Sequence, residues 1–220
     1  MPRNRAVAFF DFDNTLIAGD SQGLEIEYLF KRRLIPVTQL IPIVTANFLF
    51  KRNLLSAEKM VRVCLRIYRG MRADQPATWA EDLYRTIIRA RLVPLVLAAV
   101  RKHRREGHLP VILSASLPHL IASAARDLEI EQVICTRLEI DAEGLFTGKT
   151  DGPVCVGRQK AILARQFAEQ LGMKLGSAYA YSDHHADIDL FKIVGHPVAV
   201  SPTPQLFRMA NRYNWKIIST

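Results

Sequence analysis

Residues 6–10, Ala-Val-Ala-Phe-Phe, form an unbroken apolar run, and the chain then reads Asp11-Phe12-Asp13-Asn14-Thr15-Leu16. A short run without polar alternation is the pattern of an inner strand covered on both faces, as in a parallel sheet between helical layers. Side chains alternate along an extended chain, so Asp11 and Asp13 face one way while Phe12 anchors the other. Two carboxylates at this spacing repel, and beside an apolar strand they are costly to ionise unless a proton or a hard cation such as Mg²⁺ lies between them. One stretch therefore predicts both a buried strand and an acidic site where it runs out.

The same pattern returns downstream. Leu109-Pro110-Val111-Ile112-Leu113 reads as a second inner strand, ending in Ser114-Ala115-Ser116 just before a helix that starts at Leu117-Pro118. Small hydroxyl residues ahead of a helix N-terminus offer N–H groups and a hydroxyl to an anion. A third strand ends in Ser182-Asp183, and Asp187 opens a short helix closed by Gly195. Gly157-Arg158-Gln159-Lys160 leads into a helix with Leu163, Phe167 and Leu171 in register. Lys160 falls in its first turn, a small mismatch with the helix dipole that makes sense where an anion or carboxylate waits nearby. His184 and His185 invite a zinc reading, but carboxylate-rich sites prefer hard ions.

Helical periodicity fills the interval after Leu16. Asp20 and Ser21 are suited to cap a helix bearing Leu24, Tyr28 and Leu29; Ser56 opens another with Met60, Val61, Cys64, Leu65 and Tyr68 on one face; a third shows Trp79, Leu83 and Ile87. Residues 34–50 are the most apolar part of the chain, with eleven of seventeen aliphatic or Phe, yet Pro36, Gln39, Pro42 and Asn47 make the segment a poor spanning helix. A buried helix is expected there; contact with a membrane or a greasy substrate is the alternative, and Lys51-Arg52 would suit an interface. Residues 133–140 and 145–150 flank Asp141-Ala142-Glu143-Gly144 and read as a β-hairpin.

The 30 Lys and Arg against 21 Asp and Glu give a net charge of +9, which favours anionic ligands. These cations are spread over many segments without interleaved aromatics, so no nucleic-acid partner is expected. The densest run, Arg101-Lys102-His103-Arg104-Arg105, reads as a solvated helix end. Cys64, Cys135 and Cys155 lack the spacing of a disulfide framework or thiolate metal site, and residues 1–5 meet the first strand without the apolar segment of a secretory signal. A cytoplasmic location without stable membrane insertion is the expectation.

Asp-x-Asp-x-Thr-Leu after a hydrophobic strand resembles the first motif of the haloacid-dehalogenase superfamily, and the later stretches resemble its other motifs in order. The resemblance is strongest to the phosphoserine-phosphatase-like hydrolases of subfamily IB. It implies an α/β fold with a doubly wound parallel sheet, residues 1–17 and 93–220 as catalytic core, and residues 18–92 as an inserted helical cap of the C1 type. It implies that Asp11 is the nucleophile and Asp13 the general acid and base, that Ser114, Ala115 and Lys160 bind phosphate, and that Asp11, Asp13, Asp183 and Asp187 make an oxygen-rich Mg²⁺ site. Asp187 in this family binds the metal through water or steadies the Lys. Asp20 occupies the place of an acid that meets a substrate amino group. The implied substrate is a small phosphorylated metabolite, amino-bearing, of the phosphoserine or histidinol phosphate type. A lipid-like alcohol phosphate, and a non-catalytic anion- or membrane-binding role, are the alternatives. One departure stands out: Ala186 replaces the Asn that commonly precedes the second acid.

Overall fold

Parallel strands in the order β3-β2-β1-β6-β7-β8 form the central sheet of the protein, seen in a computed structural model that describes residues 6–52 and 54–219. The strands are β1 (Val7–Phe10), β2 (Leu109–Ser114), β3 (Gln132–Cys135), β6 (Tyr179–Ser182), β7 (His196–Val200) and β8 (Lys216–Ile218); β4 (Leu138–Ile140) and β5 (Phe146–Thr150) form a separate antiparallel pair. The expectation of no leader, drawn from residues 1–5, lies outside the described residues. β1 is buried at all four positions, as its apolar run requires. Apolar layers cover both faces: Ala8 and Phe10 point into one, Val7 and Phe9 into the other. This is the doubly wound α/β arrangement expected.

Helices follow the capping chemistry of the sequence. Asp20 caps α1 (Ser21–Lys31) by accepting the Gln22 N–H, and Ser56 caps α3 (Ala57–Cys64) by accepting the Lys59 N–H. Together with α2 (Leu40–Lys51) and α4 (Ala77–Leu83), they lie between β1 and α5 (Pro94–Arg105). The chain leaves and re-enters the sheet side by side: the Val93 N–H donates to Leu16 C=O at 2.9 Å and the Ala18 N–H to Arg91 C=O at 2.7 Å. The later helices are α6 (Pro118–Asp127), α7 (Arg158–Gln170), α8 (Ile188–Ile193) and α9 (Pro204–Arg212).

Three expectations need correction. The predicted hairpin is shorter than its sequence, because residues 132–135 pair with β2 in the main sheet and only 138–140 turn back on β5. That hairpin clasps the helices between β1 and α5, with Gly70 and Met71 exchanging backbone bonds with Phe146. The face carrying Trp79 and Leu83 continues at Ile88 rather than Ile87, because a π-helical turn over Tyr84–Ile88 adds one residue to the repeat. Residues 34–50 are not a buried helix. Ile35, Ile43 and Ala46 pack inward, but Leu34, Val37, Ile41, Val44 and Phe48 are each more than half exposed. A helix apolar all round can bury only the faces that meet a neighbour.

A polar knot ties the helices from α1 to α4 to the sheet layer. Glu25 is completely buried and receives the Trp79 indole N–H at 2.7 Å, the Tyr68 hydroxyl, and a bond from His119 Nε2 of α6 at 2.8 Å. Truncating it strands three polar groups at once. Glu25→Ala should therefore cost about 3 kcal/mol of stability, read from the urea midpoint, with Glu25→Gln costing less because it keeps an acceptor for Trp79.

Candidate active site

β1 is the point at which the strand order reverses: the chain runs outward through β2 and β3, then returns to β6 on the other side. A crevice opens at the carboxyl ends of strands there. The Asp11 N–H donates to Tyr181 C=O at 2.9 Å, carrying the β1–β6 pairing one residue past the strand. Phe12 is completely buried, and Asn14 turns the chain through the left-handed region at φ 52°, which Asn tolerates. The acids are thus held by backbone on both sides.

Lys160, the third residue of α7, is 3% exposed and fills the space between two carboxylates. Its Nζ lies 2.9 Å from Asp11 Oδ2 and 2.7 Å from Asp187 Oδ2. The Ser182 hydroxyl donates to the same Asp187 oxygen at 2.6 Å. Burial disfavours the ammonium, but Asp11 and Asp187 outweigh it and hold Lys160 above the ordinary lysine range. The mismatch with the helix dipole is resolved by these partners. Asp187 thus takes the lysine-steadying arrangement.

Asp13 is held by a different set. Its Oδ1 accepts the Ser21 N–H at 2.7 Å and its Oδ2 accepts the Ser116 hydroxyl, while Ser116 and Ser21 hydroxyls meet at 2.7 Å. Burial, aided by the charge of Asp20, pushes Asp13 up to about 6 against these hydrogen bonds. Burial also pushes Asp11 up to about 6, opposed by Lys160. Asp183, raised by burial and by the Asp11 carboxylate, reaches about 8.

These groups line an open cleft with Asp20, Ala115 and Ser116, roofed by Phe50, Met60, Val61 and Cys64 from α2 and α3. Ser114 is completely buried beneath the Ala115-Ser116 wall; its Oγ accepts the Ser116 N–H at 3.1 Å and keeps its own proton to donate. Five carboxylates, Asp11, Asp13, Asp20, Asp183 and Asp187, stand here against one ammonium. Such a surplus of hard oxygen ligands fits a divalent cation of the Mg²⁺ class. Among the described residues no three of these carboxylates bring ligand oxygens within 4.8 Å of one another, and Asp187 is already committed to Lys160 and Ser182. Asp11 and Asp183, with the Asp13 carbonyl, are the groups that would hold the ion. His184 Nδ1 accepts the Ala186 N–H at 3.1 Å, a local capping role.

A family model for haloacid dehalogenase-like hydrolases matches residues 8–192. The chain belongs to this family. A phosphoserine phosphatase of Mycobacterium tuberculosis is 29% identical to this hydrolase over 217 residues, spanning 96% of this chain and 70% of that protein. A histidinol-phosphatase of Neisseria meningitidis is 26% identical over 220 residues, spanning 97% of this chain and 98% of that protein. A solved structure of a Bordetella pertussis protein of unknown function superposes with a TM-score of 0.88 at 27% identity, covering 98% of each chain.

Sequence reasoning placed Asp11, Asp13, Asp20, Lys160, Asp183 and Asp187 around the cleft, and missed Ser116, Ser21 and Ser182, which hold the acids. A serine that bonds a carboxylate over a hundred residues away leaves no local trace.

The raised acids make the stability of the hydrolase depend on pH. Asp183 binds its proton more tightly folded than unfolded, so its contribution is complete below about pH 4 and is lost as pH rises through about 8. His103, held down to about 4 by burial, acts in the opposite sense but is neutral in both states above about pH 6.5. In chelator, stability should fall between about pH 6.5 and 8 by on the order of 1 kcal/mol, and Asp183→Asn should flatten that fall in urea titrations.

Proposed function

We propose that this hydrolase is a Mg²⁺-dependent phosphomonoesterase that works through an aspartyl phosphate on Asp11 and acts on a small amino-bearing alcohol phosphate without a carboxylate, of the histidinol phosphate type. The ion, when bound, neutralises phosphoryl oxygens and stabilises charge as the transfer proceeds. Asp11, paired with the Lys160 ammonium, attacks phosphorus as the bond to the leaving alcohol breaks. Asp13, which the Ser116 hydroxyl and the Ser21 N–H hold at the cleft, gives its proton to the leaving oxygen. In the second half Asp13 takes a proton from water, which attacks phosphorus, breaks the bond to Asp11 and releases phosphate. Lys160 and the Ala115 N–H receive the phosphoryl oxygens at the cleft wall, and the Ser114 hydroxyl lies buried behind it.

One observation carries the substrate class. Among the described residues lining the cleft, Lys160 is the only Lys or Arg, and Asp11 and Asp187 already share it. A substrate carboxylate would enter without a cation to meet it, whereas an ammonium finds Asp20. The similarity to a histidinol-phosphatase of matching length supports the same reading. The apolar roof of Phe50, Met60 and Val61 favours a second reading, a lipid-like alcohol phosphate.

Phosphate release with Mg²⁺ should be at least about tenfold faster in kcat/KM for histidinol phosphate than for phosphoserine, the low end of the discrimination that pocket contacts supply. Asp20→Asn should raise KM for the amino-bearing ester and leave KM for a deaminated analogue unchanged, while any effect through Asp13 falls on kcat for both alike. Asp11→Asn should be folded and inactive. Preference for phosphoserine would overturn the substrate class; preference for lysophosphatidate would establish the second reading.

A further inference from the structure

The outward face of the segment around α2 has no partner in the protein. Leu34, Val37, Ile41, Val44 and Phe48 are 52%, 60%, 63%, 66% and 52% exposed, and Leu54 just beyond the helix is 70% exposed. Their spacing of three and four residues aligns them as one stripe along the helix and the short turn before it. Singly exposed apolar residues are ordinary, but a contiguous stripe of five on one element marks an interaction surface.

Charge decides what covers it. No Asp or Glu occurs between Glu27 and Glu58, while Lys31, Arg32, Arg33, Lys51 and Arg52 bracket the stripe at both ends. Lys31 pairs with Glu27 and Arg32 with Asp82; Arg33, Lys51 and Arg52 make no ion pair among the described residues. The Arg52 guanidinium lies over the Phe48 ring at 4.0 Å, its stem along apolar surface and its charge at the rim. A second copy of the chain is a poor occupant. Twofold pairing through this stripe sets cations against cations whether the helices run parallel or antiparallel, with no acid to relieve them. An anionic bilayer satisfies both halves of the surface, acyl chains for the stripe and phosphate headgroups for its ends. No described helix is long and apolar enough to cross a membrane, so such contact is peripheral.

We infer that α2 is a membrane-docking element, seating its exposed apolar stripe in the surface of an anionic phospholipid bilayer. Phe50, two residues past the stripe and on the opposite, inward side of the same helix, lines the catalytic cleft, so docking through the stripe leaves the cleft wall uncovered. The inference is independent of the substrate reading.

Vesicle co-sedimentation tests it without substrate. The intact protein should bind phosphatidylcholine vesicles containing about a third phosphatidylglycerol at least about tenfold more tightly than phosphatidylcholine alone, and salt should weaken the binding. Ile41→Ser with Val44→Ser should abolish binding while phosphatase turnover of a soluble ester is unchanged; Lys51→Glu with Arg52→Glu should remove the preference for anionic lipid. Absence of vesicle binding by the folded protein, or binding indifferent to these substitutions, would overturn the inference. So would a dimer in sedimentation velocity that Ile41→Ser with Val44→Ser splits into monomers, since a second copy would then cover the stripe.

Discussion

A buried ammonium shared by two carboxylates is the interaction on which the site depends. Lys160 brings α7 to Asp11 at the end of β1 and to Asp187 at the start of α8, so three separate stretches of chain meet at one charge. Removing either carboxylate would leave a desolvated cation underpaired, and removing the cation would leave two acids facing each other in a dry site. The arrangement also divides labour among the acids. Burial raises both carboxyls to about 6, but their partners differ: Asp11 is paired with the Lys160 ammonium, whereas Asp13 is held by the Ser116 hydroxyl and the Ser21 N–H and feels the charge of Asp20. Two carboxylates of one tripeptide thus meet different partners, one an ammonium and the other hydroxyl and N–H donors.

Much of this was legible because strands announce themselves twice, by apolar runs and by what ends them. Residues 6–10 and 109–113 could only be inner strands, and the acids and serines after them had to sit at the carboxyl edge of the sheet. Lys160 was legible as an oddity, a cation in a helix first turn. What escaped was whatever depends on partners far along the chain. The Ser116–Asp13 bond joins residues 103 positions apart and the Glu25 knot reaches residues 43, 54 and 94 positions away, and neither side carries a local signature. The strand 132–135 looked like half a hairpin because pairing with β2 is not written in its own composition. Apolar character in residues 34–50 was read as burial, but hydrophobicity states only that water is unfavourable, not which neighbour replaces it.

The helices between β1 and α5 are both wall and anchor. Their inner surface presents Phe50, Met60 and Val61 to the cleft; their base is locked by Glu25, Tyr68 and Trp79 to His119; their flank is held by the β4–β5 hairpin. Specificity at such a roof comes from what it lacks as much as from what it offers. A roof without a guanidinium penalises a second anion on the substrate, because the carboxylate would lose its water and gain no partner. The outward face of the same helices is free to serve another purpose, and chemistry and docking can share one small element without competing for residues.

The central claim is that Asp11 carries the phosphoryl group. Rapid acid quench during turnover of a ³²P-labelled amino-alcohol phosphate, followed by peptide mapping, tests it most directly. The account predicts transient, hydroxylamine-labile label on the peptide containing Asp11, absent from Asp11→Asn and longer-lived in an Asp13→Asn variant labelled from an activated ester, whose leaving group needs no proton. Label on another residue, or steady turnover with no labelled protein at any quench time, would contradict it.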